Sequence, residues 1–273
     1  MDRVWGYRPT PSDHIRPPFR IRSLRLSAPP NAHDLLASAS PIFDQGPIGS
    51  CVGHAHAGAI YTTIKAQSGW IGWLPSPDDL YRKSRCIERA RMTLDPDSLP
   101  PLTDSGAIPA YCQLGISEWG ILAMRRGNTP DGRVSDCDWD TVNQEPDLFM
   151  LEQGMMNLLV GQYEIAGSPS QRGLGVRQAI YGGIAVEIGS QVDTRYMHWT
   201  ESDGVYNIPD YDDPNGGGHD QYIVGYEKRG DEYVYLVQNS WGDGWCMQGR
   251  IWVSEAFLGQ AMDLNAIAVR KAA

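Results

Sequence analysis

Residues 219–245 read HDQYIVGYEKRGDEYVYLVQNSWGDGW. Two runs rich in Tyr, Val and Ile, DQYIVGYE and YVYLVQN, flank a polar turn at residues 228–232 that contains Gly230. Such side chains fit a pleated surface, and a short polar turn with glycine joins antiparallel neighbours. The stretch therefore predicts a β-hairpin. Folding it about residue 229 or 230 sets residue 239 opposite residue 219 or 221. His219 and Asn239 then become direct or diagonal neighbours, roughly 5–8 Å apart at Cβ, within reach of a side-chain hydrogen bond.

Working outward, GRIWVS (249–254) and the apolar run 184–188 read as further strands, and DGVYNIP (203–209) as one more, opened by a turn at Asp203-Gly204. The N-terminal half has another character. Residues 1–40 are proline-rich and read as an extended arm. Within it FRIRSLRLS (19–27) is a short strand, and Trp5, Tyr7 and Ile21 argue that part of the arm docks. The loop Gly46, Pro47, Gly49 leads into helix-compatible residues 51–67, with Ser50 as N-cap and Ser68-Gly69 as the stop. Gly53 and Gly58 each cost a helix about 1 kcal/mol relative to Ala, so they suit a buried helix that another backbone approaches. Residues 78–92 and 107–114 predict two more helices, the latter closed by Gly115 after a loop ending Thr103-Asp104-Ser105-Gly106. Helices first and antiparallel strands later predict an α+β fold. The expected organisation is one domain over 1–273, with a helical lobe over about 41–150 and a β-rich lobe over about 151–273.

Cys51 is expected in the first turn of its helix. There the free N–H groups and the dipole favour a thiolate. An imidazole beside it can hold an ion pair, and an amide oxygen on the far ring nitrogen fixes the imidazole's orientation. A second amide, with a backbone N–H at the helix start, can bind a developing oxyanion. Gln45 stands six residues before Cys51, across the glycine loop. Gln45, Cys51, His219 and Asn239 make a complete acyl-transfer set.

At these residues the chain resembles the papain-like cysteine peptidases. The matching pieces are Gln45-Gly46 through Gly49-Ser50-Cys51, His219 ahead of IVGY, and Asn239-Ser240-Trp241-Gly242 with Gly244-Trp245. The resemblance covers most of residues 41–255. It implies a helical lobe and an antiparallel, β-barrel-like lobe with the cleft between them. It also implies Cys51 as nucleophile, His219 as base and acid, Asn239 as its orienter and Gln45 as oxyanion donor. Trp241 would shield the His–Asn bond and, with Asp104, Ser105, Gly106 and Gly218, line the substrate cleft. The short tryptophan-bearing arm and the DQGxxGSC form resemble compact bacterial, archaeal or viral members that lack a pro-region. Departures are Val52 in place of an aromatic after the nucleophile, Ile48 in place of the first cysteine of a two-Cys loop, and Cys246 where a small residue is usual. The Cys51–His219 spacing also exceeds the roughly 130–150 residues common in papain-type enzymes, which predicts an insertion in 137–180 or 190–215.

Composition narrows the alternatives. Hydrophobic residues make up 41% of the 273, too many for a disordered chain. No apolar run approaches the roughly 18 residues of a membrane span, and a net charge of −10 disfavours nucleic acid. Residues 1–20 show no ordinary secretory signal, which points to a cytoplasmic chain or a signal-independent route of export. Peptide or protein is the expected substrate, with no metal or organic cofactor. Two rival readings are a papain-fold acyltransferase or amidase and a catalytically silent binding module. His54 shares a helix face with Cys51, but no second ligand pair accompanies them, so it reads as a core or wall histidine. Asp210, Asp212 and Asp213 lack calcium-loop spacing and read as a solvated loop. Cys86, Cys112, Cys137 and Cys246 read as structural thiols whose pairing the sequence does not fix. Glu187 reads either as a solvent-facing residue or as a wall of the specificity pocket.

Overall fold

The computed structural model describes residues 4–14, 17–18, 28–69, 72–92, 98–124, 134–145 and 158–271. The strand expected over 19–27 and the docking of Ile21 lie outside the described residues.

Helix α1, Cys51–Ser68, is buried along most of its length and ends on Gly69 at φ +75°. Its two glycines are explained by close approach. A Cβ on Gly53 would lie 2.4 Å from the carbonyl oxygen of Pro77, and one on Gly58 would lie 2.4 Å from the Tyr222 ring. Ser50 precedes the helix without capping it through its side chain. Its Oγ lies 3.2 Å from His54 Nδ1 instead. The expected cap is thus absent, and the first N–H groups of α1 are left for the thiol described below.

Helix α2, Pro77–Ala90, starts on Pro77 with Ser76 accepting from the Asp79 N–H. It carries a buried Lys83–Asp79 pair at 2.7 Å. Helix α3 spans Pro109–Trp119 and is closed by Gly120 at φ +68°. The expected end at Gly115 is therefore corrected. Gly115 sits inside the helix because a Cβ there would come within 2.8 Å of Lys83 Cβ on α2. It lets two helices touch and does not break one.

Six strands of the second half and one from the N-terminal segment form a seven-stranded sheet with the path β2-β7-β3-β4-β5-β6 and β1 added against β4. The strands are β1 Ala32–Asp34, β2 Leu158–Glu164, β3 Val186–Val192, β4 Gly217–Arg229, β5 Glu232–Gln238, β6 Arg250–Ser254 and β7 Asp263–Lys271. Every pairing among them is antiparallel. Helix α4, Pro169–Tyr181, begins with a Ser168/Gln171 capping box. The one-turn α5, Thr194–Met197, lies between β3 and β4. Helix α6, Glu255–Gln260, links β6 to β7. The strand expected over 184–188 starts later and runs further. That expected over 203–209 reduces to one bridge, Tyr206 to Val253; Asp203 instead closes the 3₁₀ turn Glu201–Asp203, and Gly204 ends it at φ +77°.

The hairpin turns on Gly230, at φ +61°, and Asp231, with Arg229 paired to Glu232. A regular ladder from that turn would set Asn239 opposite Tyr222, on the face away from His219. The register shifts between Ile223 and Gly225, leaving Val224 as an extra residue. Gln238 then pairs with Tyr222, so Asn239 falls opposite Gln221 and diagonal to His219. One bulge restores the shared face on which the site depends. The Val224 carbonyl is taken by the Leu35 N–H at 2.7 Å.

Candidate active site

Cys51 heads α1 and is fully buried. Burial pushes its thiol up to about 12, against the backbone groups of Asp220, Gly6, Val52 and Cys51 itself, which favour the thiolate. Two of those are the uncapped N–H groups at the start of α1. Asp220 is the neighbour of His219 on β4, so the thiol lies against the strand that carries the imidazole.

His219 Nε2 donates to Asn239 Oδ1 at 2.8 Å, and the Ser240 N–H donates to the same oxygen at 2.7 Å. The Asn239 amide is therefore fixed, and it assigns the proton on His219 to Nε2. Trp241 stacks on the imidazole with ring centroids 4.5 Å apart and planes 25° from parallel. Both rings are buried.

Gln45 is fully buried. Its Nε2 donates to the Ile48 carbonyl at 2.8 Å, its Oε1 accepts from Ser240 Oγ at 2.6 Å, and its N–H donates to the Ser240 carbonyl at 2.9 Å. An Asp44–Trp241 bridge continues this seam. The loop that presents Cys51 is thus joined by hydrogen bonds to the loop that presents Asn239.

The cleft is not empty. The arm runs through it in extended form. Tyr7 N donates to Gly218 O at 3.2 Å on the β-rich side, while Arg8 N donates to Ala107 O at 3.0 Å and Ala107 N to Gly6 O at 2.7 Å on the helical side. Arg8 also pairs with Glu88. The docking inferred for Trp5 and Tyr7 is therefore seen directly. The residues expected to line the cleft divide into two groups. Gly106, at φ +76°, and Gly218 lie against the arm; a Cβ on either would come within 2.4 Å of a Gly6 or Tyr7 backbone oxygen. Asp104 faces inward, accepting from Gly49 N at 3.0 Å and from the Tyr81 hydroxyl. Ser105 N donates to Thr103 O, within the same turn.

Other candidates resolve into packing. His54 Nδ1 lies 2.9 Å from the Ser50 carbonyl and Nε2 lies 2.8 Å from Ser135 Oγ, which makes it a core histidine. Among the described residues, no group of three or more His, Cys, Asp or Glu is placed to hold a metal ion. All five cysteines are free thiols. Glu187 is fully buried, which rules out the solvent-facing reading. Sequence reasoning missed Gly6, Gly189 and Asp263 beside the cleft. The glycines offer no side chain to read, and Asp263 arrives from the last strand.

Comparison with known proteins agrees with the fold. The model of the papain family cysteine proteases matches residues 163–265. No curated protein matches the chain. Among solved structures it is similar to xylellain, a cysteine protease from Xylella fastidiosa, with TM-score 0.69 and 19% identity over 96% of this chain and 95% of that one. Digestive procathepsin L 3 of Tenebrio molitor larval midgut gives 0.65 and 18% over 94% and 74%. Bromelain from Ananas comosus gives 0.57 and 15% over 88% and 99%. The α+β two-lobe fold is thus that of the papain-like proteases. The family model covers 103 of the 273 residues, all in the β-rich half of the chain.

Proposed function

We propose that the chain is a cysteine endopeptidase that uses Cys51, His219, Asn239 and Gln45. The observation that carries this reading is the His219 Nε2–H···Oδ1 Asn239 bond under Trp241. With Nε2 engaged, Nδ1 is the nitrogen left to exchange a proton with a thiol. Cys51, at the start of α1 against Asp220, is the thiol within that neighbourhood.

His219 Nδ1 takes the proton of the Cys51 thiol, the thiolate attacks a peptide carbonyl, and a tetrahedral oxyanion forms. The second N–H of Gln45 Nε2 and the Cys51 backbone N–H stabilise it. His219 gives its proton to the leaving amine, the C–N bond breaks, and a thioester remains. Water then adds to the thioester while His219 takes a proton from it. The carboxylic acid departs and the thiol is regenerated. Asn239 holds the imidazole in the tautomer these transfers need.

Intact-mass analysis with an epoxysuccinyl inhibitor, together with turnover of a denatured protein substrate, tests the reading. One adduct, on Cys51, is expected, and Cys51→Ala and His219→Ala are each expected to abolish turnover. An adduct on another cysteine, or full turnover by Cys51→Ala, overturns it.

A further inference from the structure

The Ile48–Gly49 peptide unit, just ahead of Ser50 and Cys51, is held at both ends. Its carbonyl accepts from Gln45 Nε2 at 2.8 Å. Its N–H donates to the two carboxylate oxygens of Asp104, at 3.0 and 3.1 Å. A peptide unit is planar, so holding its oxygen and its hydrogen together stops it from turning. Gln45 is in turn fastened to Ser240, the neighbour of Asn239, while Asp104 stands on the loop between α2 and α3. The unit that leads into the nucleophile is therefore pinned from both sides of the cleft.

Asp104 has a second donor. The Tyr81 hydroxyl, on α2, donates to Asp104 Oδ1 and accepts from the Gly106 N–H at 3.1 Å. Gly106 is a wall of the cleft, where a Cβ would come within 2.4 Å of the Gly6 carbonyl oxygen. One hydroxyl thus joins the carboxylate that holds the nucleophile loop to the wall that faces a bound chain. Arg85, one turn further along α2, backs both. Its guanidinium carbon lies 3.9 Å from the centre of the Tyr81 ring, and it donates to the Thr103 carbonyl, to Asn143 Oδ1 at 2.9 Å and to the Val142 carbonyl.

No covalent tie shares this task, since all five cysteines are free thiols. The loop carries Gly46 and Gly49, and glycine has the most backbone freedom to lose. What restrains it on the helical side is a bond to a carboxylate, roughly twice as strong as a neutral one. The Cys51 N–H lies two peptide units beyond the pinned one. Donors to an oxyanion act only when they are already aimed, and a misplacement of about 1 Å costs roughly 10² in rate.

We propose that Asp104 is a positioning residue for the nucleophile. Its carboxylate fixes the Ile48–Gly49 peptide and so aims the N–H and sulfur of Cys51, while Tyr81 couples the same carboxylate to the wall at Gly106. This rests on the peptidase reading above.

The test uses the full chain carrying Gly6→Ala to free the cleft. It reads kcat and KM on fluorescein-labelled casein, per site titrated with the epoxysuccinyl inhibitor and below the Tm of each variant. Asp104→Ala should lower kcat by about tenfold to a hundredfold, the scale of a hydrogen bond to a charged group, with KM changed by less than about threefold. Asp104→Asn keeps an acceptor for the Gly49 N–H and should restore kcat to within about fivefold of the Gly6→Ala chain. Tyr81→Phe takes the acceptor from Gly106 and should act mainly on KM, raising it by about threefold or more. A role in folding alone would lower Tm and leave kcat per site unmoved. Should Asp104→Ala fail to fold, Asp104→Gln, which sets the acceptor one carbon further out, takes its place with the same expectation. Unchanged kcat per site in that variant, no recovery in Asp104→Asn, or an unmoved KM in Tyr81→Phe overturns the assignment alone. No turnover by the Gly6→Ala chain itself overturns it together with the peptidase reading.

Discussion

Gly6 and Gly49 pack backbone to backbone, so closely that a Cβ on Gly6 would lie 1.9 Å from the Gly49 carbonyl oxygen. The arm therefore docks over the nucleophile loop only with glycine at position 6. In that state Cys51 has no exposed surface and its thiol is pushed up to about 12 by burial. The docked state holds the thiol proton more tightly than an open cleft does, so rising pH favours release of the arm. Iodoacetamide should label Cys51 slowly in the parent chain. Gly6→Ala should speed that labelling by about tenfold or more, since the thiolate is the nucleophile. Peptide mapping of the labelled cysteine checks this, and equal rates in the two proteins would mean that the arm leaves without hindrance.

The Asn239 amide accepts from both His219 and its own neighbour Ser240, so it is an anchor for the imidazole. Asn239→Ala should lower kcat by up to about 10², a fraction of the 10²–10⁴ that a positioned acid–base group supplies. His219→Ala should lose more. Replacing Trp241 with Ala should also cost rate, because water then reaches the His–Asn bond. An Asn239→Ala enzyme with unchanged kcat would remove Asn239 from the mechanism.

Much of the site is legible in the chain because its residues sit in local motifs: the loop at 45–51 and the block at 239–245 each place side chains by short-range geometry. The pairing of His219 with Asn239 is legible only by fortune of parity. The sequence reading folds the hairpin about residue 229 or 230, whereas the turn centres between Gly230 and Asp231, which in a regular ladder would send Asn239 to the wrong face; the Val224 bulge offsets that difference. Gly115 reads as a stop from sequence because termination and close packing both call for glycine; Lys83 across the interface decides which applies. The meeting of Glu187, Asp220 and Asp263 on one face of the sheet is invisible in the chain, since it arises only from the register of three strands. The docking of the arm is half legible. Trp5 and Tyr7 announce that they bury, but their targets include Gly189, Gly217 and Gly218, which carry no side chain to announce it.

His56 is a fully buried imidazole on α1 whose Nδ1 donates to the Val52 carbonyl at 3.0 Å. Burial lowers its pKa from 6.5 to about 4. Between those values the unfolded chain binds a proton that the folded chain refuses. Stability is therefore complete above pH 6.5, falls as the pH drops toward 4, and loses nothing further to this group below that. The full effect is about 3 kcal/mol, from 1.36 kcal/mol per unit. Urea unfolding of parent and His56→Gln from pH 7.5 to 4 should show the two curves converging as the pH falls. Parallel curves would mean that His56 titrates alike in both states.

Gln45 is both a candidate oxyanion donor and a fastener between two loops, and kinetics can separate these roles. The oxyanion exists only in the transition state, so an interaction with it raises kcat and hardly alters ground-state binding. Loss of one such donor costs about 10²–10³ in rate. Gln45→Ala should lower kcat by that factor with KM little changed. Gln45→Glu, which keeps an acceptor for Ser240 Oγ but sets a negative charge beside the oxyanion, should be as poor or poorer. Alkylation of Cys51 should survive both changes, because the thiolate depends on His219 and the start of α1. A fastener role alone would show differently: a lower Tm in Gln45→Ala, slower alkylation as the Cys51 loop loosens, and a raised KM with kcat near that of the parent. That pattern would remove Gln45 from the chemistry and leave it as the link between the Cys51 and Asn239 loops that its bonds to Ile48 and Ser240 describe.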